Sequence, residues 1–122
     1  MTFDAALAEE DYCYLTTTGR VSGTPREIEI WFALEGAVLY MLSGGQDRSD
    51  WVKNLLREPQ VSVRIAGETL PGRARVVEDA DEDALARRLL VAKYDPRYAG
   101  SLDDWGRNAL PVAVDFADFS GD

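Results

Sequence analysis

The sequence predicts a mainly β protein with minor α content: a small β-barrel of about six antiparallel strands with two to three helices. Short segments in which apolar and polar residues alternate recur along the chain, as in Val61, Val63 and Ile65 with their polar neighbours. Glycine-containing turns separate these segments, and only two longer segments have a clear helical period. Because six antiparallel strands laid flat would expose two edges, the sequence favours closure into a barrel.

The predicted strands cover residues 12–18, 27–34, 37–42, 61–65, about 68–78 and 111–116. The second alternates most clearly, with one face formed by Ile28, Ile30, Phe32 and Leu34. Glu35-Gly36 is predicted to reverse the chain into the third strand. These segments predict a sheet in which most neighbours along the chain pair directly.

Helices are predicted for residues 2–10, with Thr2 as N-cap, for residues 49–57, with Ser49 as N-cap, and for residues 79–94. In the second helix, Trp51, Asn54 and Leu55 fall on one face. In the third, an acidic first turn precedes a set of residues at helical spacing: Ala84, Leu85, Arg88, Leu89 and Ala92. Residues 97–110 are predicted to be irregular, with a short turn around 102–107.

The composition and net charge of the chain exclude several classes of function. The 122 residues are predicted to form a single domain, 1–122, with a net charge of −9 that argues against nucleic-acid binding. The absence of histidine removes Ser-His-Asp and Cys-His catalysis and most zinc sites, and no metal site is predicted. Cys13 is the only cysteine and is predicted to be a buried thiol. With no membrane span or signal peptide in the sequence, a cytoplasmic protein is expected.

The first candidate site is the turn between the first two strands, residues 16–26. Its glycines allow backbone N–H groups to turn inward, and its hydroxyls and guanidiniums are donors for an anion. Arg20 and Arg26 lie on opposite sides of the turn, so both are expected to reach one phosphate. Thr18, Ser22 and Gly23 belong to the same site. The alternative is an ordinary polar hairpin turn.

A second glycine loop, residues 43–48, leads directly into the helix at 49–57, whose N-terminus favours an anion. Two such loops at neighbouring strand ends are expected to cradle one ligand. Asn54 is a polar residue on an apolar face, and it is expected either to cap a loop carbonyl or to hold the second loop. Trp51 is a core residue or stacks on a ligand. Trp31 and Met41 are expected either to line a ring pocket or to pack between subunits. Four further aromatic residues are expected either to flank a planar cofactor or substrate or to pack in the core: Tyr40, Tyr94, Tyr98 and Trp105.

Three sequence blocks together resemble the deazaflavin-dependent nitroreductase family, which are split β-barrels related to the FMN-binding, pyridoxamine phosphate oxidase-like flavoproteins. They are Leu15-Thr16-Thr17-Thr18-Gly19-Arg20-x-Ser22-Gly23-x-Pro25-Arg26, then Leu42-Ser43-Gly44-Gly45, then Trp51-x-x-Asn54-Leu55-x-x-x-Pro59-x-Val61-x-Val63. The resemblance covers roughly residues 12–78. It implies a split barrel that usually pairs as a homodimer.

The resemblance also implies an oxidoreductase that transfers a hydride from the reduced deazaflavin coenzyme F(420) to a quinone, a nitroaromatic or a similar small activated acceptor. Carried over by position, Arg20, Ser22 and Arg26 would bind the phosphate and polar tail. The second loop would contribute Ser43, Gly44, Gly45 and Arg48, supported by Trp51 and Asn54. No residue is identified as a catalytic acid or base. Two alternatives stay open: an FMN-binding flavoprotein of the same fold, and a flavin- or deazaflavin-binding protein without turnover. The segment Ile30-Trp31-Phe32 resembles the FMN-binding relatives.

Overall fold

A computed structural model describes residues 5–98 and 100–116, with the side chain of Ala5 left out. Along the chain it contains seven strands, four α-helices and two single turns of 3-10 helix at Gln46–Arg48 and Asp95–Arg97. The strands are β1 (Cys13–Thr18), β2 (Pro25–Ile30), β3 (Ala33–Glu35), β4 (Val38–Ser43), β5 (Gln60–Ile65), β6 (Glu68–Val76) and β7 (Leu110–Asp115). The helices are α1 (Ala5–Ala8), α2 (Asp50–Arg57), α3 (Ala80–Tyr94) and α4 (Asp103–Asn108).

All seven strands form one sheet in the order β2-β1-β5-β6-β7-β4-β3, and every pairing is antiparallel. The two edge strands, β2 and β3, follow one another in the chain and are separated only by Trp31 and Phe32. Three residue steps span at most about 11 Å, so the two edges of the sheet must lie close together. The sheet is therefore curled into a barrel that is split between β2 and β3, which confirms the predicted fold class.

The apolar residues form two clusters, one on each face of the sheet. The inner cluster includes Leu15, Phe32, Met41, Val63 and Val112 and fills the barrel. Met41 is therefore a residue of the barrel interior. Cys13 belongs to the same cluster as a free, buried thiol, as predicted, and burial raises its pKa to about 12.

The outer cluster lies between the sheet and α3. It brings Ala86, Leu90 and Tyr94 of α3 against Tyr40 and Leu42 of β4, among others. Because β4 has the inner cluster on one face and α3 on the other, five of its six residues are buried. Apolar residues therefore run continuously through β4, as in other strands covered on both sides.

Two predictions about these elements needed correction. The strand predicted at residues 27–34 is interrupted at Trp31-Phe32, where the chain passes from one sheet edge to the other, although Ile28, Ile30, Phe32 and Leu34 all contact the inner cluster as the alternation predicted. The helix at 79–94 is confirmed as α3 with Asp79 as N-cap, but its predicted face is partly wrong. Leu85 and Leu89 are half-buried at the sheet, whereas Ala84, Arg88 and Ala92 are exposed.

The remaining predictions differ in detail. The first helix is shorter than predicted, and its proposed N-cap, Thr2, lies outside the described residues. The short turn expected around 102–107 is α4. None of the helices in the described part of the chain is both long and apolar enough to cross a bilayer.

Candidate functional site

The first loop, residues 19–24, closes the β1–β2 hairpin tightly. The Gly19 N–H donates to the Thr24 carbonyl at 2.8 Å, and the Gly23 N–H donates to the Gly19 carbonyl at 2.8 Å. Gly23 has a φ of 74°, a region that favours glycine. A Cβ at Gly19 would lie 2.8 Å from the Ser22 hydroxyl, so a larger residue there would displace the Ser22 side chain. The tight turn predicted from the glycines is confirmed.

Asn54 of α2 connects this loop to the helix. Its Oδ1 accepts hydrogen bonds from the backbone N–H of Arg20 at 3.1 Å and from the Arg20 guanidinium at 2.9 Å. Its Nδ2 donates to Thr17 Oγ1 at 3.2 Å. Asn54 is buried, and both ends of its amide are satisfied. The expectation that Asn54 caps a loop carbonyl or holds the second glycine loop was therefore wrong, because α2 packs over β1 and directs this amide at the first loop.

Arg20 is further paired with the first residue of α2. Its Nη2 lies 3.1 Å from Asp50 Oδ1. With Asn54 on one side and Asp50 on the other, the guanidinium is fixed against α2. The sequence did not identify Asp50 as a site residue, since an ion pair between residues thirty positions apart has no local pattern.

Arg26 has a different environment. It is exposed on β2, and its Nη2 lies 3.4 Å from the Ser22 hydroxyl, which in turn lies 2.7 Å from the Thr24 hydroxyl. Within residues 5–98 and 100–116, no carboxylate lies within 4 Å of its guanidinium. Arg26 is therefore the cation of this loop that is open to an anionic ligand.

A cleft of about 420 Å³ lies between the first loop and α2. Both arginines line it. Their joint binding of one anion stays a prediction. An apolar wall is formed by Ile28 and Trp51, and Trp51 also packs against the inner cluster. The cleft is lined by Thr17, Gly19, Arg20, Val21, Ser22, Arg26, Ile28, Asp50, Trp51 and Asn54. This lining combines apolar residues with a few charged and polar groups, as small-molecule sites commonly do.

Other predicted residues lie outside the lining of this cleft: Thr18, Gly23, Ser43, Gly44, Gly45 and Arg48. In the second loop, the buried Ser43 hydroxyl donates to the Gln46 carbonyl at 2.9 Å and lies 2.9 Å from Ser49 Oγ. Ser49 occupies the N-cap position of α2, but its side chain makes no capping hydrogen bond, contrary to the expected role. The second loop is thus linked to the start of α2, and its part in cofactor binding stays a prediction.

The aromatic residues considered as pocket walls lie on the outer face of the sheet. Trp31 stacks on Tyr94, with ring centroids 4.3 Å apart and an interplanar angle of 1°, and it meets Trp105 edge-on at 5.5 Å. Tyr98 also meets Trp31 edge-on, at 6.1 Å. Trp31 is therefore packed under the helices of its own chain. Burial raises the pKa of Tyr94 to about 12, and its hydroxyl accepts the Phe32 N–H at 3.0 Å.

A polar network on the same outer face fixes the start of α3. The Arg75 guanidinium donates to both carboxylate oxygens of Glu82 at 2.7 Å and to Asp115 at 2.7 Å. The Tyr40 hydroxyl donates to Glu82 at 2.7 Å. Hydrogen bonds from Arg75 and then from Tyr40 lower the pKa of Glu82 to about 2. None of these residues lines the cleft.

Lys93, near the end of α3, is a second charged group in a protected position. Its ammonium donates to the Phe32 carbonyl at 2.9 Å and lies 3.7 Å from the centroid of the Phe32 ring. Burial lowers the pKa of Lys93 to about 8. The lysine thereby holds the corner between β2 and β3 against α3.

Comparison with known proteins agrees with this fold. A solved F(420)-H(2) dependent reductase is 28% identical, with a TM-score of 0.68 over 87% of this chain and 95% of that one. A second structure, described as a domain-swapped dimer, is 25% identical, with a TM-score of 0.70 over 87% of this chain and 81% of that one. An FAD-binding protein from Mesorhizobium loti, 18% identical, shares the fold with a TM-score of 0.67 over 96% of this chain and 90% of that one.

The sequence model of one protein family, described as F(420)H(2)-dependent quinone reductase, matches residues 3–117. That span includes the first loop, α2, all seven strands and the cleft. The match confirms the resemblance drawn from the three sequence blocks. This chain therefore belongs to the F(420)H(2)-dependent quinone reductase family and is a deazaflavin-dependent oxidoreductase.

Proposed function

We propose that this protein transfers a hydride from reduced coenzyme F(420) to a quinone, with the cofactor held in the cleft between the first loop and α2. The observation that carries the proposal is the lining of that cleft, in which two guanidiniums and a serine hydroxyl face an apolar wall. A nitroaromatic or a similar activated ring compound is the alternative acceptor. Coenzyme F(420), when bound, supplies the hydride, and the protein supplies binding and orientation.

Arg26 is the proposed ligand of the cofactor's phosphate. It is exposed at the cleft, and its closest described partner is a neutral hydroxyl, that of Ser22. A charge-assisted hydrogen bond from a guanidinium to a phosphate is worth about 1.5–3 kcal/mol. Ser22 lies beside Arg26 and is placed to add a hydroxyl donor to the same group.

Arg20 is proposed to act mainly by shaping the loop. Its backbone N–H and its guanidinium both donate to Asn54, and its charge is partly neutralised by Asp50. An arginine held in this way presents its remaining donors in a fixed position, so little conformational entropy is lost on binding. Thr18 and Gly23 are proposed to contribute through the shape of the same loop.

The apolar wall is proposed to hold the ring system. Ile28 and Trp51 line the cleft, and Val21 forms an exposed apolar tip on the loop. Burying a planar ring against such residues removes apolar surface from water, at about 25 cal/mol per Å². The volume of about 420 Å³ is within the range of small-molecule sites.

The second loop is proposed to support the cofactor from the start of α2. The Ser43–Ser49 contact links it to the residue before Asp50, so a change in the loop would move the first turn of the helix. Gly44, Gly45 and Arg48 are exposed there, and we propose that they meet the part of the cofactor that extends beyond the cleft.

The deciding experiment is a titration of the purified protein with F(420) and, separately, with FMN, followed by turnover of the reduced deazaflavin. We expect F(420) fluorescence to be quenched on binding and the reduced form to be oxidised on addition of a quinone. Tight binding of FMN with no response to F(420) would reject the proposal in favour of a flavoprotein. Binding of F(420) with no oxidation across quinones and nitroaromatics would favour a binding protein without turnover.

We also propose that the protein acts as a homodimer in the cytoplasm. The 25% identical structure described as a domain-swapped dimer supports pairing. The free, buried thiol of Cys13 is compatible with a reducing compartment. Light scattering after size-exclusion chromatography tests the dimer, and a mass equal to one chain would reject it.

A further inference from the structure

The lining of the cleft contains one acidic side chain, Asp50, which pairs with Arg20. The Asp50 side chain is nevertheless 86% exposed. Two guanidiniums and one carboxylate leave the lining with one net positive charge. Of the two arginines in the lining, Arg20 already pairs with Asp50 and Asn54, whereas Arg26 has no ion pair with a described carboxylate. The cleft is therefore built to neutralise a single negative charge.

We propose that Asp50 is a specificity-determining residue, which selects a ligand whose phosphate carries one negative charge and disfavours a phosphate that carries two. The ligand class is a phosphodiester, and the class selected against is a phosphomonoester. This inference rests on the proposed function, because it concerns the same cleft and the same ligand. It adds the reason why a protein of this fold would distinguish F(420) from FMN.

The distinction follows from the chemistry of the two cofactors. F(420) joins its ring-bearing part to its tail through a phosphodiester, which has a single charge at neutral pH. FMN ends in a phosphomonoester, whose second pKa near 6 leaves it close to doubly charged at pH 7.5. Arg26 compensates the first charge in either case, whereas the second charge of FMN meets the carboxylate of Asp50.

The size of the effect follows from Coulomb's law. Two unit charges about 6 Å apart in water interact by an energy equivalent to about a threefold change in a binding constant. Removing the charge of Asp50 should therefore strengthen binding by about threefold per charge on the phosphate. The gain is larger for a phosphomonoester than for a phosphodiester, and it is absent for a ligand with no phosphate.

The test compares the wild-type protein with Asp50→Asn, and uses Glu35→Gln as a matched control. Asparagine keeps an oxygen that can accept from Arg20. Glu35 is an exposed residue of the β3–β4 hairpin, so its replacement removes the same charge away from the cleft. Dissociation constants are measured at pH 7.5 for F(420), FMN and riboflavin. Because FMN and riboflavin differ only in the phosphate, the ratio of their constants isolates the contribution of that group.

We expect Asp50→Asn to shift the FMN-to-riboflavin ratio by at least threefold in favour of FMN, and to tighten F(420) binding by a smaller factor. Glu35→Gln should leave both unchanged. An unchanged ratio in Asp50→Asn, or an FMN affinity that does not improve, would overturn the inference while leaving F(420) binding by the wild type intact. Failure of the wild type to bind F(420) at all would instead overturn the proposed function, and this inference with it.

Discussion

The side-chain oxygen of Asn54 accepts two hydrogen bonds from one residue, from the backbone N–H of Arg20 at 3.1 Å and from its guanidinium at 2.9 Å. A single amide thereby fixes both the path of the first loop and the direction of its first arginine. The same amide donates to Thr17, so β1, the loop and α2 meet at one buried polar group. The shape of the cleft depends on this group.

Replacing Asn54 by alanine is expected to damage both stability and binding. The change leaves Thr17 Oγ1 and the Arg20 N–H without their partner, and an unsatisfied buried polar group costs about 1–3 kcal/mol. We expect the free energy of unfolding to fall by this amount and F(420) affinity to fall at least tenfold. Urea denaturation and cofactor titration measure the two effects. Asn108→Ala in α4 is the control: it removes one exposed hydrogen bond, to Asp104, so stability should stay within about 0.5 kcal/mol of wild type and F(420) affinity should not change.

The two arginines should behave differently when each is replaced by alanine. Arg26→Ala removes an exposed side chain, so stability should stay within about 0.5 kcal/mol of wild type while F(420) affinity falls at least tenfold, about 1.4 kcal/mol. Arg20→Ala removes the contacts to Asn54 and Asp50, so we expect a loss of both stability and affinity.

Arg88→Ala, an exposed change on α3, controls for the loss of a positive charge in the Arg26 experiment. If Arg26→Ala bound F(420) with wild-type affinity, the first loop would not be the phosphate-binding site. Equal losses of stability in the two cleft variants would contradict the division of roles between the arginines.

Local patterns were enough to predict the loop and most strands. The aromatic and β-branched residues of β1, the alternation in β5 and the positions of Gly19 and Gly23 are properties of short segments, and these two strands and the turn are present. The sequence also marked Asn54 as a polar residue on an apolar face. Its partner was assigned wrongly, because that choice depends on α2 packing over β1, a contact between residues more than thirty positions apart.

Dependence on contacts with distant residues also explains why the buried face of α3 was predicted incorrectly. Its apolar residues are spread around the helix, with alanines on exposed and buried sides alike, so helical spacing alone does not select one stripe. The buried stripe of Ala86, Leu90 and Tyr94 is set by the outer surface of β4 and by Trp31. Asp50 was missed for a similar reason, since its partner lies on another element.

Trp31 offers a test of whether the outer face takes part in cofactor binding. Trp31→Ala removes a ring stacked on Tyr94, and loss of such a partly buried aromatic residue is expected to cost about 2–4 kcal/mol. Because Trp31 lies outside the lining of the cleft, F(420) affinity of the folded variant should stay within about twofold of wild type. Thermal unfolding and cofactor titration give the two values. The control is Tyr12→Ala, which replaces an exposed tyrosine and should change stability little. A large loss of F(420) affinity in Trp31→Ala would instead place the binding site of the cofactor's ring on the outer face.

The loss of folding stability in acid should depend on the hydrogen bonds made by Glu82. Hydrogen bonds from Arg75 and Tyr40 lower the pKa of Glu82 from 4.5 to about 2. Between these pH values the unfolded chain binds a proton that the folded protein does not, so acidification favours unfolding. The stability contributed by this carboxylate is present above about pH 4.5 and is lost as the pH falls toward 2.

Glu82→Gln should remove this part of the pH dependence. At pH 7 the variant is expected to lose about 1–2 kcal/mol, a modest figure because Arg75 is partly exposed. The slope of unfolding free energy against pH between 4.5 and 2 should be shallower than in the wild type. Asp81→Asn, an exposed neighbour in the first turn of α3, keeps the network and should retain the wild-type slope. A variant as acid-sensitive as wild type would show that Glu82 is protonated alike in the folded and unfolded states, contrary to the contacts it makes with Arg75 and Tyr40.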